Sequence, residues 1–258
     1  MSFENKVVLI TGAGRGIGKA AAAQFAKKGA AVIINDVDAG CAESARDETL
    51  RQGGKAIALC ADITEPDAVE GMVARALEAY GAIHILVNNA GIFSPMDFFD
   101  LDVQTWDKTF AINLKGMFLC SQCVAKTMIA GRYGRIINIS SILAKIPFKK
   151  YVHYCASKAA VIQFTRALAL VLSDYKITVN AVAPGATHTD MLKEVLQGDP
   201  SMENVIIHGD AENFRIGIPL RRIASPMDQA EMIQFLASEQ AEHITGQIIF
   251  VDGGQSIF

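Results

Sequence analysis

Apolar residues recur along this chain in two alternating rhythms. Val7, Val8, Leu9 and Ile10 form an unbroken apolar run, the pattern of a strand buried on both faces, and residues 16–28 then carry helix formers that stop at Gly29. The same pair of signals repeats down the chain. Strands are predicted over 31–35, 55–61, 84–87, 134–140, 176–182 and 247–251. Helices are predicted over 39–52, 67–80, 154–173 and 226–238, with 103–130 mainly helical. Only residues 187–223 lack a clear period, and connections that long are usually lids or binding loops.

Short strands separated by helices need crossover connections, which favour a parallel sheet covered on both faces. The predicted fold class is therefore α/β: a doubly wound, Rossmann-like, parallel seven-stranded sheet forming one domain over residues 1–258, with a substrate loop at about 187–223. Composition agrees, since 51% hydrophobic and 20% charged residues exclude disordered, collagen-like and disulfide-scaffold classes. A net charge of -3 gives no general attraction to nucleic acid or to an anionic membrane, so neither is expected as a partner. The start Met1-Ser-Phe-Glu-Asn-Lys6 lacks the basic and apolar regions of a signal peptide, and the five cysteines are scattered, so a cytoplasmic protein with reduced thiols is expected. Cys120 and Cys123 form a CxxC pair inside an apolar run with no second ligand pair, and they read as core residues rather than a metal site.

Candidate chemistry starts at Thr11-Gly-Ala-Gly-Arg-Gly-Ile-Gly18, between the first strand and the first helix. Glycines there let the backbone turn sharply and approach a pyrophosphate held at a helix N-terminus. Asp36, at the end of the second strand, is placed to accept the adenosine ribose hydroxyls and repel a 2′-phosphate, which argues for NAD as cofactor; Arg15 is a counter-signal. Tyr154 and Lys158 stand four residues apart, on one face of a helix. Ionising a phenol of pKa near 10 at neutral pH takes roughly 4 kcal/mol. One cation about 5 Å away supplies roughly 3 kcal/mol at an effective dielectric of about 20, so the lysine is expected to provide most of the shift.

These motifs, together with Asn88-Asn-Ala-Gly91 after the fourth strand, Asn138-Ile-Ser-Ser141 after the fifth and Pro184-Gly185 after the sixth, occur in one order. In that arrangement the chain resembles the short-chain dehydrogenase/reductase family over nearly all of its length. The resemblance implies an NAD(P)-dependent oxidoreductase whose catalytic set corresponds to Asn113, Ser141, Tyr154 and Lys158, with Ser140 as the alternative serine. It further implies cofactor contacts at Gly12, Arg15, Gly16, Ile17, Gly18, Asp36, Asp62, Ile63, Asn89, Ala90, Gly91, Thr187 and Thr189, besides Tyr154 and Lys158. In this pattern Tyr154 exchanges the substrate proton, Lys158 lowers its pKa and holds the nicotinamide ribose, Ser141 donates to the reacting oxygen, and Asn113 supports a water chain. Relatives of this kind commonly pair through the helices at 103–130 and 154–173, so a homotetramer is implied. The chain departs from the pattern at Thr187, where Ile or Val is more frequent, and at Ala144, where Gly is frequent.

The expected activity is NAD-dependent interconversion of a secondary alcohol and a ketone on a polyol, sugar, hydroxy acid or similar small molecule. The alternatives are an NADPH-dependent 3-oxoacyl-thioester ketoreductase, which Asp36 opposes, and an inactive dinucleotide-binding regulator, whose expected loss of Tyr, Lys or Ser is not seen. Candidate substrate walls are Leu143, Phe148, Lys149, Tyr151, His188 and Met191. Charge adds one further expectation. Residues 108–173 hold ten Lys or Arg and no Asp or Glu, and three of the lysines, Lys145, Lys149 and Lys150, precede Tyr154 closely. A positive field there would concentrate an anionic substrate, read by Lys149, Lys150 or His188.

Overall fold

The computed structural model describes residues 1–196 and 200–257. Strands β1 (Val7–Ile10), β2 (Ala31–Asp36), β3 (Lys55–Cys60), β4 (Ile85–Asn88), β5 (Gly134–Ile139), β6 (Ile177–Pro184) and β9 (Ile248–Val251) pair in the order β3-β2-β1-β4-β5-β6-β9, every pair parallel. Successive side chains of a strand feed opposite cores, which is why the strands read as unbroken apolar runs. Val8 and Ile10 join Phe25 of α1 (Gly16–Lys27), Ala42 of α2 (Ala39–Arg51) and Ile233 of α9 (Pro226–Ala237) on one face. Val7 and Leu9 join Met72 of α3 (Pro66–Tyr80), Val124 of α5 (Gly116–Gly131) and Leu172 of α6 (Val152–Ser173) on the other.

Helix boundaries follow local chemistry. Asp38 caps α2 by accepting from the Cys41 N–H (3.0 Å), Ser225 and Asp228 form a reciprocal capping box on α9, and α3 starts with Pro66 and ends at Gly81 in the left-handed region. Helix α6 is long and apolar enough, at a mean hydropathy of 1.4, to cross a membrane by composition alone. Its buried stripe, Tyr154, Lys158, Val161, Thr165, Ala169 and Leu172, nevertheless faces the protein interior, while Leu170 and Val171 on its outer side are exposed.

Beyond shifts of one or two residues at strand ends, such as β6 running on to Pro184, the structure differs from the sequence expectation as follows. The predicted helix at 103–130 is α4 (Val103–Phe110) joined to α5 through a π-helical turn, Ala111–Lys115, whose widened backbone carries Asn113 into the interior. Helix α6 begins at Val152, two residues before the predicted start. Residues 187–223 are not periodless: they contain α7 (Asp190–Leu196), α8 (Pro200–His208) and an antiparallel hairpin of β7 (Gly209–Asp210) and β8 (Arg215–Ile216). Leu196, Ile206, Ile218 and Ile223 bury a small core of their own there, too short-ranged to register as a period.

The strand order reverses between β1 and β4, and the crevice outside the strand ends at such a reversal is where doubly wound sheets take ligands. A buried polar ladder ties the sheet together just below it. Asn88 Nδ2 donates to Asn138 Oδ1 and to Ser121 Oγ (both 2.9 Å), and Asn138 Nδ2 donates to Thr165 Oγ1 (3.0 Å). Replacing Asn138 with Ala strips partners from two buried groups and should destabilise the protein by about 1–3 kcal/mol. A urea midpoint indistinguishable from wild type would contradict that role for the ladder.

Candidate active site

A cavity of about 460 Å³ opens at the strand ends, lined by the glycine-rich turn, by the ends of β2 to β6 and by α7. Its floor depends on two glycines. Gly12 has φ +60°, and a Cβ there would stand 2.8 Å from the Ala90 backbone, so only glycine permits the turn to close on β4. Gly18 is a packing residue rather than a cavity residue: its Cβ would lie 2.5 Å from Asn89 Nδ2 and from the Gly12 carbonyl. Helix α1 then begins at Gly16, and its N-cap residue Arg15 offers no side-chain acceptor to the first-turn N–H groups. Those orphan donors and the open floor in front of them fit a dinucleotide pyrophosphate.

Arg15, Gly16, Ile17, Asp36, Asp62, Ile63, Asn89, Ala90, Gly91, Thr187 and Thr189 all line the cavity with Gly12. Asp36 is held rigidly, Oδ2 accepting from the Gly14 N–H (3.0 Å) and Oδ1 from the Asp38 N–H (3.1 Å). Several of these lining residues also make hydrogen bonds that fix their own turns. The Asn89 side chain donates to the carbonyls of Thr11 (3.0 Å) and Gly12 (2.8 Å). Asp62 Oδ1 accepts from the Thr64 N–H and hydroxyl (both 2.8 Å), which fixes its own turn. Thr187 Oγ1 donates to the Gly185 carbonyl (2.9 Å) and accepts from Gln229 Nε2 (3.2 Å).

At the other end Ser141, Tyr154 and Lys158 meet in the cavity wall. Lys158 Nζ donates to the Ile139 carbonyl (2.8 Å) and stands 5.7 Å from the centre of the Tyr154 ring. The two serines divide their tasks: Ser140 Oγ donates to the Lys158 carbonyl (2.9 Å) and anchors α6, whereas Ser141 lines the cavity with Tyr154 and accepts from the Leu143 N–H (3.1 Å). Asn113 is fully buried outside the cavity wall. Its Oδ1 accepts from the Ile92 N–H (2.8 Å), and its Nδ2 donates to the Ile92 carbonyl and to Ser157 Oγ (both 3.1 Å), pinning the chain after β4 to α6.

Burial governs both titrating groups. It pushes the Tyr154 phenol up to about 12, with the Ser141 hydrogen bond acting in the opposite direction, and it pulls the Lys158 ammonium down to about 8. In the protein without cofactor, desolvation is the largest influence on the phenol, so the share expected of Lys158 does not by itself bring it down.

The proposed substrate walls are also redistributed. Leu143 and Met191 line the cavity, but Phe148, Lys149, Tyr151 and His188 do not. Tyr151 stacks behind the lining residue Phe93, with ring centroids 4.4 Å apart. Lys149 Nζ points to the Glu212 carbonyl (3.4 Å), Lys145 Nζ donates to the Ser256 carbonyl, and His188 faces Glu203 at 3.8 Å. Lys150, with φ +65°, lends its carbonyl to the Met96 N–H (2.8 Å) and is absent from the cavity wall. The wall instead contains Phe93, Asp190, Glu194 and Arg215, which sequence reasoning missed. Phe93 follows the Asn-Asn-Ala-Gly motif closely enough to have been considered; the other three lie in the 187–223 segment, where no pattern distinguished them.

A Gly-rich turn under an uncapped helix and a buried Ser-Tyr-Lys cluster in one crevice define a nucleotide-dependent oxidoreductase. The family model for short chain dehydrogenases matches residues 6–200, and the chain belongs to that family. It is 40% identical over 259 aligned positions to a hydroxy(phenyl)methylsuccinyl-CoA dehydrogenase subunit of Thauera aromatica, covering 100% of this chain and 99% of that protein. It is 38% identical to the 2,3-dihydro-2,3-dihydroxybenzoate dehydrogenase of Bacillus subtilis (strain 168), covering 99% and 97%. Among solved structures, a 7α-hydroxysteroid dehydrogenase complexed with NADH and 7-oxo glycochenodeoxycholic acid superimposes with a TM-score of 0.92 at 35% identity, covering 98% and 95%.

Because burial holds the proton on Tyr154, deprotonation rises with pH throughout the ordinary range. Alcohol oxidation should therefore accelerate from pH 7 to alkaline pH and ketone reduction should slow, and Tyr154→Phe should lower kcat by at least about a thousandfold while leaving cofactor affinity within a few fold. A flat oxidation profile, or a Tyr154→Phe enzyme keeping a tenth of wild-type kcat, would move the proton role elsewhere.

Proposed function

We propose that this protein is an NAD-dependent oxidoreductase that interconverts a secondary alcohol and a ketone by hydride transfer, with Tyr154 as acid and base. The observation that carries the reading is the convergence of Ser141, Tyr154 and Lys158 in the wall of the crevice whose other end holds the glycine turn and Asp36. In alcohol oxidation the Tyr154 oxygen takes the hydroxyl proton while the Ser141 hydroxyl donates to the same substrate oxygen. Lowering a phenol from about 12 to neutrality takes roughly 7 kcal/mol, and a single cation at this range contributes roughly 3 kcal/mol, so Lys158 needs the help of a second positive charge. When bound, NAD supplies both that charge, in its oxidised form, and the hydride acceptor. Lys158 stays anchored to the Ile139 carbonyl and keeps its remaining donors for the cofactor ribose and the phenol oxygen. Asn113 acts at one remove by holding Ile92 and Ser157 in register around the tyrosine.

The NAD preference rests on the fixed carboxylate of Asp36, which would meet a 2′-phosphate as a like charge at close range. Wild type is expected to favour NADH over NADPH in kcat/KM, and Asp36→Ala to narrow the ratio by roughly tenfold or more. Equal or better use of NADPH by wild type would favour the acyl-thioester ketoreductase reading instead.

We further propose a homotetramer that resides in the cytoplasm, where a reducing thiol pool would keep the five free cysteines unpaired. Support for assembly comes from apolar side chains left exposed on the long helices and before them, including Phe99, Val103 and Phe118 beside α4 and α5 and Leu170 and Val171 on α6. Light scattering should give about four times the 27.7 kDa chain mass. Val171→Glu should lower that mass, and a wild-type monomer at micromolar concentration would overturn the assembly.

A further inference from the structure

Behind the crevice wall, a run of aromatic rings leads from the lining residues Phe93 and Tyr154 to a cation that lines the cavity again. Phe93 packs edge-on to Tyr154 (centroids 4.7 Å) and flat on Tyr151 (4.4 Å), and Tyr151 abuts Phe148 (5.6 Å). The Arg215 guanidinium carbon lies 4.7 Å from the Phe148 ring centre, and Arg215 itself lines the cavity. Strand β8 carries Arg215 opposite Asp210 of β7, but the Asp210 carboxylate is committed to the Asn213 N–H (3.3 Å) and side-chain amide (2.7 Å). Among the described residues Arg215 makes no ion pair and no side-chain hydrogen bond. Burial depresses its pKa from the usual guanidinium value, while Tyr151 and Asp210 favour the charged form. A guanidinium does not shed its proton in water-accessible conditions, so this half-buried cation carries a desolvation cost that an arriving anion would offset. Four acids line the cavity: Asp36 and Asp62 accept from backbone N–H groups of their own turns, Asp190 pairs with Lys193 (3.1 Å), and Glu194 is the remaining acid that could compete for Arg215.

Building on the alcohol dehydrogenase reading above, we infer that the substrate carries an anionic group (carboxylate, sulfonate or phosphate monoester) seated on Arg215 while its secondary hydroxyl meets Ser141 and Tyr154. The planar fork of arginine suits any of these oxyanions in a bidentate contact, and stacking on Phe148 holds the fork in one orientation. This replaces Lys149, Lys150 and His188 as the anion-reading residues, since none of them lines the cavity.

The test compares 3-hydroxybutyrate, 2-hydroxypropane-1-sulfonate and 2-hydroxypropyl phosphate with neutral methyl 3-hydroxybutyrate in NAD-dependent oxidation. At least one anion is expected to exceed the ester in kcat/KM by about tenfold or more, and the responding probe identifies the oxyanion. Arg215→Ala should lower that anion's kcat/KM by roughly thirtyfold, chiefly through KM, and leave the ester within about threefold. Arg215→Lys, which keeps the charge but not the fork, should fall between them and guards against a folding defect in the alanine variant. A wild type that prefers the ester, or an Arg215→Ala loss shared equally by ester and anions, would overturn the inference and would instead favour an internal Arg215–Glu194 pair. Binding separates the two readings. Butyrate and propane-1-sulfonate are titrated into the enzyme–NADH complex with nucleotide fluorescence as readout. Saturable binding that Arg215→Ala abolishes, with no probe oxidised, keeps the anion seat and sinks the dehydrogenase reading. Oxidation of the ester, with neither anion bound by wild type, does the reverse.

Discussion

Lys158 is almost wholly buried, and the 2.8 Å bond from its ammonium to the Ile139 carbonyl is the fixed point around which the crevice is arranged. A buried ammonium without partners would be prohibitively costly, so its position is dictated by the carbonyl at the end of β5. Helix α6 is thereby pinned to the strand end, and Ser140 pins it a second time through the Lys158 carbonyl. One turn earlier on the same helix, Tyr154 has no freedom to leave the wall. Asn113 extends the constraint to the segment that follows β4 by bonding at once to Ile92 and to Ser157 of α6, a reach that the π-helical turn at Ala111–Lys115 makes available.

The same burial acts on the two titrating groups in opposite senses and drives both toward neutrality, raising the phenol and lowering the ammonium. The protein matrix by itself therefore favours an uncharged tyrosine and an easily neutralised lysine. Whatever positive charge enters the crevice tips that balance, and the burial that opposes ionisation also strengthens the effect of such a charge. The pairing of a desolvated acid-base residue with a conditional cation ties proton transfer to occupancy of the site.

Much of this was legible in the order of residues. Unbroken apolar runs such as Val7–Ile10 are forced by a sheet covered on both faces, so they declare strands without any tertiary knowledge. Gly12 and the Tyr154–Lys158 spacing are equally local, one set by a backbone angle and the other by helical pitch. The lysines before Tyr154 misled for a related reason: closeness along the chain does not fix direction, and Lys145 and Lys149 turn to backbone carbonyls of the C-terminal segment and of the β7–β8 turn.

Sequence alone determined the strands of the large sheet, the helices between them, the parallel double winding and the nearness of Tyr154 to Lys158, because each follows from short-range periodicity and the cost of exposing apolar surface, while Ser141 was legible through the family motif. Tertiary structure decided the rest: that Asn89 braces the glycine turn, that Asn113 clamps the segment after β4 to α6, and that Arg215 rather than a loop lysine reaches the cavity. Those outcomes depend on where separate elements meet in space. Arg215 belongs to the segment in which Leu196, Ile206, Ile218 and Ile223 bury a small core, and their spacing along the chain is too irregular to show as a local pattern.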